Sequence, residues 1–255
     1  MKTRFVVVLS LFVAGAAQAA RLPLEDPPAG RVIELHSCEL FAGGCIVSSQ
    51  ATLQGRTLLR VWEFTGGGHQ GVPFKGLALA VLEQAAENLA QPGAVPAEAV
   101  VYLPDAASTA QHEALLGWLR EVRPELGRVK PQTRTVAIKT GRTAAGEQVL
   151  IGDDISVAVR PLERCDTGAC GERLWYTPRV PTAYFTVAVN RSSRVHEPLL
   201  NLKWEEAAKR SVFCGTFGGT ERSLFVDTLK SDPWCGTGPE RWVVAATPLR
   251  TAVRE

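Results

Sequence analysis

The chain has 255 residues, 28 of them Lys or Arg and 26 Asp or Glu, for a formal charge of +2, and 45% are hydrophobic. This near-neutral balance lacks the basic footprint of a nucleic-acid or anionic-membrane binder, and the apolar content suffices for a sizeable core. No repeat, low-complexity tract or charge block marks an internal linker, so one domain with extensions is expected.

Residues 1–19 read as an export signal. Lys2 and Arg4 precede an apolar run from Phe5 to Ala14, and Ala17-Gln18-Ala19 is the small-x-small pattern of signal peptidase cleavage. The run is about half the ~20 residues a membrane-crossing helix needs, so the expectation is a cleaved signal and a periplasmic or extracellular protein, not an integral membrane protein. Losing the signal leaves the mature chain formally neutral.

Residues 20–30 hold Pro23, Pro27 and Pro28 and predict an extended lead-in to a main domain over 31–217. Val32, Ile33 and Leu35 suit a first strand, Thr57 to Phe64 a second, and Thr65 to Gly71 a turn. Leu77 to Ala90 is ambiguous: its composition favours helix, while LALAVL suits a buried strand. Ala99 to Leu103 predicts a strand. Ser108 leads into a helix over Thr109 to Val122, with Leu115, Leu116, Trp118 and Leu119 as its apolar stripe and Pro124 as its stop.

Beyond Pro131 the chain reads as strands: Thr133 to Lys139, Glu147 to Ile151, Ile155 to Leu162, Ala183 to Asn190, Leu200 to Glu205 and Arg210 to Phe217. Turn signals such as Thr140-Gly141 and Gly152-Asp153-Asp154 predict hairpins. The fold class expected is α+β, a mainly antiparallel sheet with one or two helices packed on it. Residues 218–255 form a C-terminal extension with one more strand candidate, Trp242 to Ala246.

Three stretches together resemble an uncharacterised bacterial family, domain of unknown function 1326: HSCELFAGGCIV (His36 to Val47), Gly-Val-x-Phe-x-Gly-Leu-x-Leu-Ala (Gly71 to Ala80), and YLPDAASTAQHEALL (Tyr102 to Leu116). A late Leu-x-Trp-Glu strand running into a Phe-containing one (Leu202 to Phe217) extends the likeness, which covers roughly residues 31–217. Family members carry a denser cysteine cluster near the start, with Cys-x-Cys and Cys-Pro-Cys, and that density implies metal or redox chemistry. Here the segment retains Cys38 and Cys45, with His36 beside them.

Six cysteines fall into three close pairs, and in an oxidising compartment such pairs are disulfides by default. Cys38 and Cys45 flank a Gly-Gly turn. With His36 they also offer one imidazole and two thiolates, a set for copper(I), or for zinc if His69 or His196 completed it. A reversible redox pair is the third option. Cys165 and Cys170 suit a staple at a hairpin tip. Cys214 and Cys235 would tie the extension to the sheet, worth roughly 3 kcal/mol on the loop-entropy model.

No Gly-x-Ser-x-Gly elbow or His-Glu-x-x-His helix occurs, and His112 reads as a surface residue of the helix. Trp204, Trp234 and Trp242 serve packing more readily than a ligand platform. The leading expectation is a non-catalytic, exported, disulfide-stabilised binding protein of the cell envelope, with a copper or zinc ion as its most concrete ligand. Two alternatives are a thiol-disulfide oxidoreductase using Cys38 and Cys45, and a structural or protein-interaction module with inert disulfides.

Overall fold

The computed structural model describes residues 26–42, 54–91, 93–143, 145–162, 173–174, 178–179, 182 and 184–218. The signal, the tail strand candidate and Cys45, Cys165, Cys170 and Cys235 lie outside these residues.

Strand β1 (Ala29–His36) is followed by the short β2 (Phe41–Ala42) and then by β3 (Thr57–Gly66), which returns antiparallel to β1 and sets Glu34 opposite Arg60. The TGGGHQG turn holds a small ladder of its own, β4 (Gly68–His69) with β5 (Val72–Pro73). The ambiguous LALAVL segment is a strand, β6 (Ala78–Gln84), antiparallel to both β3 and β7 (Glu98–Pro104). Its two faces explain the ambiguity: Leu79 and Val81 meet one apolar cluster, Ala80 and Leu82 another, so no polar alternation is left to read.

Helix α1 (Thr109–Val122) forms as expected, since Ser108 and Gln111 make a reciprocal capping box and Pro124 opens a 3₁₀ turn at its end. It carries the chain over the sheet to β8 (Gln132–Val136), which pairs parallel to β7.

Ala137 then interrupts what the sequence reads as a single strand. Beyond it, β9 (Ile138–Thr143) pairs antiparallel to β10 (Gly146–Ile151), and β10 to β11 (Ile155–Pro161). The remaining strands are the two-residue β12 (Arg173–Leu174), the long β13 (Tyr184–Glu197), β14 (Leu202–Glu206) and β15 (Lys209–Phe217).

The large sheet runs β8-β7-β6-β3-β1-β15-β13-β11-β10-β9, with β14 also on β13, eleven strands in all. Its first and last strands, β8 and β9, are one residue apart in the chain, so the sheet curls until it is nearly closed on itself. The α+β expectation of a mainly antiparallel sheet with one or two packed helices is therefore overturned. The described residues are mostly strand, with a single α-helix, in one large mixed sheet whose parallel β7–β8 pair is made possible by the α1 crossover.

The curl gives the sheet an inside and an outside. Inside, Ile33, Leu35, Val61, Leu82 and Val100 pack against Val149, Ile151, Val157, Val195, Trp204 and Val212. Outside, α1 covers Val32, Trp62, Phe64, Val81 and Val101, with Trp118 edge-on to Trp62 at 5.7 Å and to Phe64 at 5.0 Å. Gly30 sits at a bulge where β1 and β3 run so close that a Cβ would lie 1.9 Å from the Glu63 carbonyl oxygen. No helix among the described residues is long and apolar enough to cross a membrane.

Candidate functional site

Strand alternation puts Val32, Glu34 and His36 on the outer face of β1, and the apolar floor under α1 gives way to buried charge at the end of that face. Glu34, His36, Arg60, Glu83 and Arg123 are all at or within 1% of zero exposure. They form a ladder across the strands. Arg60 Nε donates to Glu34 Oε1 at 3.3 Å, Arg60 Nη1 pairs with Glu83 Oε1, and Arg123 Nη2 donates to Glu83 Oε2 at 3.2 Å. Arg123, the residue at the C-terminus of α1, also binds Glu125 at 2.6 Å and so fixes the helix end to the ladder.

Burial pushes both ladder carboxyls up. At Glu34 the Arg60 guanidinium, the His36 contact and the Arg179 N–H outweigh it, so this pKa ends below the usual carboxylate value. At Glu83 burial wins over Arg60, and the pKa is raised. Arg179 reaches the same place through its backbone N–H, 3.0 Å from Glu34 Oε2, while its guanidinium binds the Gln91 and Ala94 carbonyls.

His36 meets this ladder with one edge only. Its Nε2 lies 3.4 Å from Glu34 Oε2, and its Nδ1 is buried without a hydrogen-bond partner. Burial holds the imidazole pKa below the ordinary histidine value against the pull of Glu34, so the ring is neutral near pH 7. The ring stands edge-on to Phe213 at 5.7 Å.

Phe213 also belongs to the apolar pocket of Cys38, which packs with Leu40 and Ala90 and is 2% exposed. Around Cys38 the chain leaves β1 and is held by Ser37: its N–H reaches the Thr57 carbonyl and its hydroxyl accepts from Thr57 N at 2.9 Å. Asn88 approaches Cys38 Sγ at 4.0 Å, pinned by the Ala90 N–H at 2.8 Å. Gly55, at φ +74°, leaves room for it, since a Cβ there would fall 2.1 Å from Asn88 Oδ1. Burial pushes the Cys38 thiol up to about 12, so without a metal it is neutral at physiological pH.

The structure thus places two of the three proposed metal ligands, His36 and Cys38, on one buried wall around Phe213. Cys45 lies outside the described residues. His69 sits beside α1, 3.5 Å from Glu121, and His196 is exposed on β13, so each has surroundings other than those of His36. His112 is half-buried, bonding the Pro104 carbonyl at 2.8 Å, rather than a free surface residue. Among the described residues no group of three or more His, Cys, Asp and Glu side chains stands ready for a metal ion.

Cys214 faces the inner wall opposite Ile33 and is half-buried. Burial and the nearby Glu147 raise its thiol pKa. It lies near one mouth of the curled sheet, where Arg31 pairs with Glu63 and Glu147. A shallow depression there, about 260 Å³ with open solvent included, is bounded by Arg31, Glu63, Thr140 and Glu147, and falls short of a typical small-molecule pocket. Trp204 packs in the inner core.

The opposite end carries a second polar cluster that sequence reading passed over. Tyr102 Oη donates to Glu197 Oε2 at 2.5 Å, Arg134 donates to Glu197 and to Asp154 at 2.9 Å each, and Leu199 N–H caps Glu197 Oε1 at 3.0 Å. Each carboxylate oxygen of Glu197 has a donor, so this cluster ties β7, β8 and β13 to the β10–β11 turn. Comparison of the chain with protein-family models, with curated proteins and with solved structures gives no match.

Proposed function

We propose that the chain is an exported, disulfide-stabilised binding protein of the cell envelope that holds a soft metal ion, copper(I) first, at His36 and Cys38 with Cys45 completing the set. The observation that carries this reading is the buried, unpartnered Nδ1 of His36 two residues before the buried Cys38. An apolar wall bearing one unsatisfied imidazole nitrogen and one thiol suits a soft cation of low charge better than a hydrated one. The likeness of residues 31–217 to a family with cysteines concentrated in this segment supports the same choice. The metal would supply only its affinity for sulfur and nitrogen; no reaction is assigned to it.

The test is anaerobic titration of the reduced mature protein with copper(I), and separately zinc(II), against a competing chelator. One equivalent of copper(I) should bind, and Cys38→Ala/Cys45→Ala and His36→Phe should each weaken it by at least tenfold. Equal binding by the double variant refutes the reading.

A second reading, a structural or interaction module with inert disulfides, is favoured by the depth of Cys38. A sulfur 2% exposed with a raised pKa makes a poor attacking thiolate, which also weighs against an oxidoreductase. Disulfide mapping separates the two: a Cys38–Cys45 bridge that resists glutathione, in protein isolated without metal, supports the module.

A further inference from the structure

We infer that Glu34 is a positioning residue for His36: it holds the imidazole proton on Nε2 and thereby leaves the lone pair on Nδ1, the nitrogen without a protein partner, for the metal proposed above. This deepens the metal reading and rests on it for its purpose, while the tautomer itself exists in the metal-free protein.

A neutral imidazole has one N–H and one lone pair, and an ionised carboxylate can only accept. Glu34 Oε2, 3.4 Å from Nε2, is therefore a partner for the Nε2–H form. The Nδ1–H form would set a lone pair against a buried carboxylate and bury an N–H without an acceptor, two costs at once. The carboxylate has little freedom to turn away. Arg60 Nε holds Oε1 at 3.3 Å and Arg179 N–H holds Oε2 at 3.0 Å, while Arg60 is itself anchored through Glu83 to Arg123 at the end of α1.

Glu34 and His36 are two residues apart on β1, so both side chains leave the same face and the backbone fixes their separation. The ladder is then more than a buried ionic network. It is the outer support of the histidine, the arrangement by which a carboxylate selects the ligating nitrogen at metal sites generally.

The experiment is long-range ¹H–¹⁵N correlation of the labelled, metal-free full chain above pH 7, with His36 assigned by its loss in His36→Phe. The expected result is a protonated Nε2 and an unprotonated Nδ1; a proton on Nδ1 overturns the inference. Glu34→Gln can offer an amide N–H to Nε2, so it should populate the Nδ1–H form and weaken copper(I) binding by about 10- to 100-fold. A Glu34→Gln protein with the parental tautomer and copper(I) affinity within twofold also overturns it. If the wild type has the Nε2–H form yet binds no copper(I), the metal reading fails while the positioning role of Glu34 stands.

Discussion

Removing one oxygen atom tests whether the curled sheet is fastened where its two ends meet. In Tyr102→Phe the ring stays in the inner core, where Tyr102 is 1% exposed, and only the 2.5 Å hydrogen bond to Glu197 is lost. Glu197 keeps Arg134 and the Leu199 N–H, so no buried charge is orphaned. The loss should thus be that of one hydrogen bond to a charged acceptor, about 1.5–3 kcal/mol, which at about 2–4 °C per kcal/mol lowers Tm by roughly 3–12 °C. Arg134→Met leaves the 0% exposed Glu197 without its cation, and because Arg134 is 28% exposed the expected loss, about 2–3 kcal/mol, falls below that of a fully buried pair. Urea unfolding of the protein without added reductant, followed by tryptophan fluorescence, measures both, and the double variant gives their coupling. A Tyr102→Phe protein within about 0.5 kcal/mol of wild type, or a coupling near zero, refutes the fastening role. The raised Tyr102 pKa adds a sign: its stabilisation is full below about pH 10 and is lost as pH climbs through the folded-state value.

Three further outcomes follow from the outer face and the strand crossing. Arg60→Met strips both Glu34 and Glu83 of a buried cation and should cost about 3–5 kcal/mol by the same denaturation assay. The His36 pKa lies below the ordinary 6.5 in the folded state, so stability is full above that value and falls as pH drops through the folded one, by up to about 1.4 kcal/mol per pH unit. Subtracting the curve of His36→Phe should remove that slope between pH 6.5 and the onset of carboxyl titration; an unchanged slope assigns it elsewhere. Gly30→Ala places a methyl 1.9 Å from the Glu63 carbonyl and should lower stability by about 1–3 kcal/mol through forced separation of β1 and β3, while Gly71→Ala, with open space at its Cβ, is limited to backbone strain.

The local elements were legible where a local cause exists. Ser108, the Leu115 to Leu119 stripe and Pro124 specify α1 without reference to anything distant, and a strand that alternates buried and half-buried residues, such as Ile155–Pro161, announces itself. What failed was the assembly. The pairing of β1 with β15 is decided by contacts more than a hundred residues apart in sequence, while the two ends of the sheet, β8 and β9, are brought together by a break at one residue, Ala137, that carries no turn signal. An apolar run such as LALAVL carries no period because both its faces are covered. A mostly β chain accordingly read as α+β.

The site shows the same division more sharply. Reading for thiols and imidazoles found His36 and Cys38 and missed Glu34, Arg60 and Glu83, although each is a charge that directly follows apolar residues: VIELH, LLRVW, AVLEQ. Such a charge must be paired or neutralised, and three of them with alternating sign in three strands amount to a prediction that the strands are neighbours. With β1, β3 and β6 adjacent, the charges meet edge to edge and end on a histidine. Replacing that ladder by apolar residues of equal volume would cost little stability by the usual behaviour of buried ion pairs, so stability alone does not account for it. A fixed carboxylate against one nitrogen of His36, with the other nitrogen unpartnered, is the feature for which the ladder supplies a physical reason.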